Sequence, residues 1–227
     1  MTEPVRVELP DWIRALAASH PFGVDDRRGT ANLIDAAARA RAAACIRTGD
    51  SVSLARPLLS GDYNMTAERP GFRHETWYQP APDGTGWGQD HLVLNPHGLQ
   101  NTHLDALNHV AVDGTFYGGR PVADTEQGSA DVLAPDGLVT RAIYVDILAW
   151  DMLDSRDAKA AHASAHILTW AIGLLLLDNC DFAALRRAHG RGTKVAGALV
   201  VSLLAVEGAN GVNLNPLVLS LSRASVA

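Results

Sequence analysis

The sequence predicts an α/β protein, and three observations carry that reading. The 227 residues are 47% hydrophobic and 19% charged, a balance that builds a packed core rather than a disordered chain. Apolar, β-prone runs alternate irregularly with Ala-rich, helix-prone ones, as in α/β or the neighbouring α+β class. No repeat or linker-like stretch divides the chain, so residues 1–227 are expected to form a single domain with a substantial core.

In chain order, residues 10–18 read as a short helix with Asp11 as its N-cap, and residues 25–30 as a polar turn. Residues 35–47, rich in Ala and Arg, read as a helix that stops near Gly49. Residues 51–56 alternate polar and apolar side chains, which predicts a strand. Residues 60–90 hold many Gly, Pro, Asp and aromatic side chains and read as long loops with strand fragments, of the kind that line a pocket. Strands are expected at 90–94 and 141–148. Residues 155–165 are polar and Ala-rich. Residues 167–172 read as helix, Gly173 interrupts it, and 174–177 read as a buried strand. A helix follows over 181–189 with Asp181 as its N-cap, then a β-prone run at 196–204. A turn-rich stretch over 208–216 ends in a short strand.

Composition narrows the function. The formal charge is −6 and no basic stripe is present to neutralise phosphates, which argues against nucleic acid. Two cysteines, Cys45 and Cys180, make no disulfide framework. Residues 1–10 are charged and carry no apolar signal-peptide core. The longest apolar runs, 174–177 and 196–206, fall short of the roughly 20 residues a membrane helix needs. The expectation is a cytoplasmic protein with no membrane partner.

The chemistry-bearing residues cluster. His97, His103 and His109 fall around Asp105. In an extended segment His103 and Asp105, two apart, point to the same side, so one cation can take a nitrogen and an oxygen from them. Neutral imidazole with carboxylate suits zinc or manganese better than calcium. His109, four residues on, can return through a turn and is the natural proton carrier. Spacing alone leaves an ordinary surface hydrogen bond open. A second group is His162, His166 and Asp178. His162 and His166 share a helix face, but Ala163 stands where a zinc protease has its glutamate, which favours a solvated face for His162. Asp178 ends a run of four leucines and needs a partner there. A continuous helix would hold it about 18 Å from His166. A break at Gly173 would let the strand run back to that histidine; otherwise Asp178 caps the next helix.

The stretch from His97 to His109, with Asp113-Gly114 and Tyr117-Gly118-Gly119-Arg120, resembles the cyclase family. That family includes bacterial kynurenine formamidase, isatin hydrolase and proposed polyketide cyclases, and its signature is Thr-His-x-Asp-x-x-x-His. Residues 28–34, Leu177-Asp178-Asn179-Cys180-Asp181 and Asn213-Leu214-Asn215-Pro216 also look like it. The resemblance implies a swivelling β/α/β fold, a mixed sheet with flanking helices. It implies that His103 and Asp105 are metal ligands, that His109 is the catalytic base, and that His166 and Asp178 match a second histidine and a glutamate. It implies one or two ions, Zn2+ or Mn2+, and a homodimer or homotetramer in which loops can close a neighbour's pocket. Three departures stand out. Leu99 occupies the position of a frequent histidine ligand, with His97 as the candidate substitute. Leu107 replaces a frequent proline, and the chain is short between about 149 and 161.

The resulting expectation is a metal-dependent hydrolase of an amide, lactam or ester bond in a small cyclic or aromatic substrate. No Gly-x-Ser-x-Gly elbow is present to support a serine nucleophile. Trp77, Tyr78, Trp87 and Tyr117 are the candidate pocket rings, with core or loop packing as their alternative. Two other readings stay open: a polyketide-type cyclase using the same site, and a non-catalytic homologue kept as a binding or scaffold protein.

Overall fold

The computed structural model describes residues 8–59, 72–97, 100–124, 126–145, 165–189 and 194–223. Its helices are α1 (Asp11–Ala18), α2 (Ala36–Ala43), α3 (residues 165–172) and α4 (Ala183–His189). Its strands are β1 (Ser51–Ser53), β2 (Phe72–Pro80), β3 (Gly86–Leu94), β4 (His103–Asp105), β5 (Thr115–Phe116), β6 (Arg120–Pro121), β7 (Leu138–Val145), β8 (Leu176–Asp178), β9 (Lys194–Val201), β10 (Gly211–Asn213) and β11 (Leu217–Arg223). The larger sheet runs β1-β11-β9-β7 and the smaller β10-β4-β8. The mixed sheet implied by the resemblance is antiparallel in every ladder of the described residues.

The two sheets share one core. Leu104 of β4 and Val212 of β10 pack in a cluster with Leu138 of β7 and Val201 of β9. Because side chains alternate along β4, sending Leu104 into this core turns His103 and Asp105 to the opposite face. α2 lies against β7 and β9. It buries Ala38 and Ala42, one turn apart, and their small side chains permit a close approach. Asp35 caps it by accepting the Ala38 amide at 2.6 Å. A second cluster joins Leu54, Leu185 of α4 and Val218 of β11.

Several local expectations are corrected. Asp11 is not the cap of α1: Pro10 holds that position, its carbonyl accepting from Ile13 at 3.0 Å. Asp11 lies in the first turn, where the helix dipole favours a carboxylate. The expected loops across 72–90 are one long hairpin. β2 and β3 pair from Phe72↔Leu94 to Pro80↔Gly86, and Asp83 closes the turn by accepting from the Thr85 amide and hydroxyl at 3.0 and 2.6 Å. The strand after the 208–216 stretch is the seven-residue β11, paired on both sides by β1 and β9. Asp181 does serve the start of α4, accepting the Ala183 amide at 2.8 Å. No helix among the described residues is long and apolar enough to cross a membrane. Leu99, His162 and the short region at 149–161 lie outside the described residues.

Candidate metal centre

The site is built on β4, the middle strand of the smaller sheet. Registers His103↔Asp178 and His103↔Asn213 set it between β8 and β10. Directly opposed residues share a face, so Asp178 stands on the same face as His103 and Asp105. After β4 the chain turns back through the His109 amide bonded to the Ala106 carbonyl at 3.0 Å. His97 arrives from the end of β3. It can approach because residue 211 is glycine: a Cβ there would lie 2.6 Å from His97 Cε1. His166 comes from α3. That helix stops at Gly173, whose φ of +67° is the left-handed region glycine tolerates, and the chain then returns as β8. This reversal brings His166 Nε2 to 3.8 Å from Asp178 Oδ2.

Four imidazoles converge on one carboxylate. Asp105 Oδ1 lies 3.1 Å from His97 Nδ1, 3.3 Å from His103 Nε2 and 3.6 Å from His109 Nε2. Asp105 Oδ2 lies 3.3 Å from His166 Nε2. The His97 and His109 rings stack at 4.0 Å, and His97 meets His103 edge-on at 5.3 Å. Asp105 is fully buried, and its Oδ2 has no hydrogen-bond partner among the described residues.

The protons explain why a cation fits. His103 Nδ1 sits 2.8 Å from the Asn101 carbonyl. A carbonyl only accepts, so Nδ1 carries the hydrogen and a neutral His103 turns a bare Nε2 lone pair on Asp105. Two lone pairs facing each other at 3.3 Å need either a proton or a shared cation between them. Ligands around a tetrahedral ion with bonds of about 2.0–2.2 Å sit roughly 3.3–3.5 Å apart, which matches these separations.

The electrostatics follow from burial and from these contacts. Burial alone would raise the Asp105 carboxyl, but hydrogen bonds from His103 and His97 and the neighbouring imidazoles hold it well below the usual carboxylate range. Burial pushes His109 down to about 4; Asp105 opposes this, while His97, His166 and His103 reinforce it. Burial also works against protonation of His103, yet Asp105 and the Asn101 carbonyl outweigh it and raise that group.

Two triads offer ligand atoms within 4.8 Å of one another: His97, His103 and Asp105, and Asp105, His109 and His166. Asp105 belongs to both. Asp178 stands outside them, its Oδ1 accepting the Asn179 amide at 2.8 Å. None of the candidate pocket rings belongs to either triad. Trp77 and Trp87 share one face of the β2–β3 hairpin, Tyr78 lies on the other, and all three are about half exposed. Tyr117 is buried, its hydroxyl donating to Asp26 at 3.0 Å. A cleft of about 330 Å³ borders His97, between Leu94, Leu204, Val206 and β10. Sequence reading did not assign Asn101 or Gly211 a role. Asn101 gave no signal, because the group that meets His103 is its main-chain carbonyl, which every residue carries. Gly211 had none, because its value lies in a contact across the fold.

No family model matches the chain, and no curated protein does. Among solved structures, a crystal structure described as that of a novel cyclase matches with a TM-score of 0.74 and 17% identity, covering 94% of this chain and 100% of that chain. The chain therefore has a cyclase-like fold, with a His/Asp cluster able to hold a metal ion.

Proposed function

We propose that this protein is a metal-dependent hydrolase that opens an amide, lactam or ester bond in a small cyclic or aromatic substrate. The observation that carries the reading is Asp105, a fully buried carboxylate ringed by four imidazoles, one of whose oxygens has no hydrogen-bond partner among the described residues. Zn2+ or Mn2+, one ion or two, is the cation this donor set suits. When bound, it would polarise a carbonyl and acidify water. His103 and Asp105 hold it, with His97 supplementing them on one side and His166 with Asp178 on the other. His109 is assigned the proton: burial keeps its imidazole neutral near pH 7, with a nitrogen able to accept from water and return the proton to the leaving group. The cleft beside His97 is the substrate's approach, and Trp77, Tyr78 and Trp87 are assigned to its closure within a homodimer or homotetramer.

His109 also lies at ligand distance in the second triad, so one variant separates its two roles. His109→Ala is expected to lower turnover of a formamide or lactam panel by about 10²-fold or more while metal content stays unchanged. Loss of metal from that variant would make His109 a ligand; retained turnover would remove it from the chemistry. Ring closure of a poly-β-ketone is the second reading, supported by the solved neighbour described as a cyclase. A poly-β-ketone mimic in the same assay decides between them.

A further inference from the structure

The two halves of the metal centre come from distant parts of the chain. His97, His103, Asp105 and His109 sit within one short stretch around β4, whereas His166 and Asp178 lie on either side of the Gly173 reversal. The centre is complete only if that reversal is held at a fixed distance from β4. The contacts around Gly173 point to what holds it.

Gly173 crosses Gly29 at van der Waals contact. A Cβ on Gly29 would lie 2.1 Å from the Gly173 carbonyl oxygen, and one on Gly173 would lie 2.5 Å from Gly29 Cα and 2.9 Å from Tyr117 Cζ. Thr30 locks the crossing from one side. Its amide and hydroxyl both donate to the Gly173 carbonyl, at 2.8 and 3.1 Å, and its hydroxyl oxygen accepts the Leu175 amide at 3.1 Å. One side chain thus bridges both flanks of the reversal, just after α3 and just before β8. Asp26 locks it from the other side. Its carboxylate accepts the Arg28 and Gly29 backbone amides at 3.2 and 2.7 Å, the Asn32 side-chain amide at 2.6 Å and the Tyr117 hydroxyl at 3.0 Å. Arg120 adds a bond to the Asp26 carbonyl at 2.7 Å. None of these groups is among the proposed ligands: the Thr30 bonds reach the segment that turns His166 toward Asp105, and the Asp26 bonds hold Gly29 and Tyr117, the two groups packed against Gly173.

We propose that Asp26, Thr30 and Tyr117 are positioning residues: they clamp the Gly29–Gly173 crossing and so set the distance from His166 to Asp105. The inference rests on the metal-centre reading above, and it assigns the polar turn at 26–30 a task that reading leaves open. Groups that orient ligands without touching the metal typically alter affinity by about 10- to 100-fold.

The test titrates Co2+ into metal-free protein, following its absorbance, for wild type, Thr30→Val, Thr30→Ser, His166→Ala and the Thr30→Val/His166→Ala double variant. Valine keeps the shape of threonine and removes the hydroxyl; serine restores it. Thr30→Val is expected to weaken Co2+ about tenfold, Thr30→Ser to stay within about twofold of wild type, and Thr30→Val to add nothing once His166 is gone. Wild-type affinity in Thr30→Val overturns the proposal, as does an equal loss with and without His166. Asp26→Asn, in the same two backgrounds, serves if Thr30→Val fails to fold, with the same expected and overturning outcomes. Amide hydrogen exchange of the metal-free proteins gives a second readout that needs no metal. Faster exchange confined to residues 165–178 supports the clamp; unchanged exchange, or an even rise over the chain, overturns it. If wild type binds no Co2+, the metal reading falls and exchange alone decides the clamp.

Discussion

In the folded chain His109 takes up a proton only as pH falls to about 4, whereas an unfolded chain protonates that imidazole near 6.5. Between those values the unfolded state binds more protons, so stability falls as pH drops through the window, by up to about 1.4 kcal/mol per unit. The depressed Asp105 acts lower still: its contribution is present above the unfolded carboxylate value of about 4 and is lost in stronger acid. His103 works in the opposite sense, stabilising below its unfolded value and losing that contribution as pH rises through its raised one. The urea midpoint of metal-free protein is therefore expected to fall from pH 6.5 to 5 less steeply in His109→Gln than in wild type. Equal slopes would show that His109 is not the group responsible. At this scale the sequence was partly legible. His103 and Asp105 share a face because strand side chains alternate, and that needs no structure. That His103 turns Nε2 rather than Nδ1 to Asp105 depends on the Asn101 carbonyl, whose direction no spacing reveals.

The β2–β3 hairpin is an element that holds itself. Its strands pair with each other and with no other strand of the described residues. Apart from Phe72 its first strand is exposed throughout. Cross-strand polar contacts, His74 with Asp90 at 2.6 Å and His91 with Glu75 at 3.7 Å, decorate both faces. Replacing residues 74–92 by a short Gly-Asn turn, with Phe72 and Leu94 kept, is expected to shift the melting temperature by no more than about 4 °C. A larger fall in calorimetry would place the hairpin in the cooperative core. If its rings close the pocket, as proposed, substrate KM should rise in the same variant while metal content holds. Sequence reading caught only the end of its second strand, 90–94, because neither face is buried along most of the hairpin and no hydrophobic alternation marks it. The α3–Gly173–β8 reversal was legible in part: a glycine between a helix-prone run and four leucines states the break, but those leucines are half-buried rather than buried and the strand begins only at Leu176.

Across the whole molecule, the larger sheet is closed by strands from opposite ends of the described chain. β1 pairs only with β11 among the described residues, Ser53 facing Leu217, and β11 carries Val218 into the second core cluster. Ending the chain at Pro216 would leave β1 and β9 without their shared neighbour, and that protein is expected to lose its cooperative unfolding transition by circular dichroism. A preserved transition would show that the smaller sheet and its core fold without β11. The fold class could be read from local pattern. The pairing of residue 51 with residue 219 could not, because period and composition report which face a segment buries and not which distant segment meets it.

That pairing also imposes an order in time. A strand made early must wait about 160 residues for its partner, roughly 8–30 s at ordinary rates of synthesis. β4 waits in the same way, for β8 and then for β10. On a growing chain the histidines of the 97–109 stretch are thus exposed long before the fold encloses them, and any cation they meet then is met by flexible, unselective ligands. Any selectivity the His/Asp cluster has for a cation would belong to the finished protein, after its last central strand has been inserted.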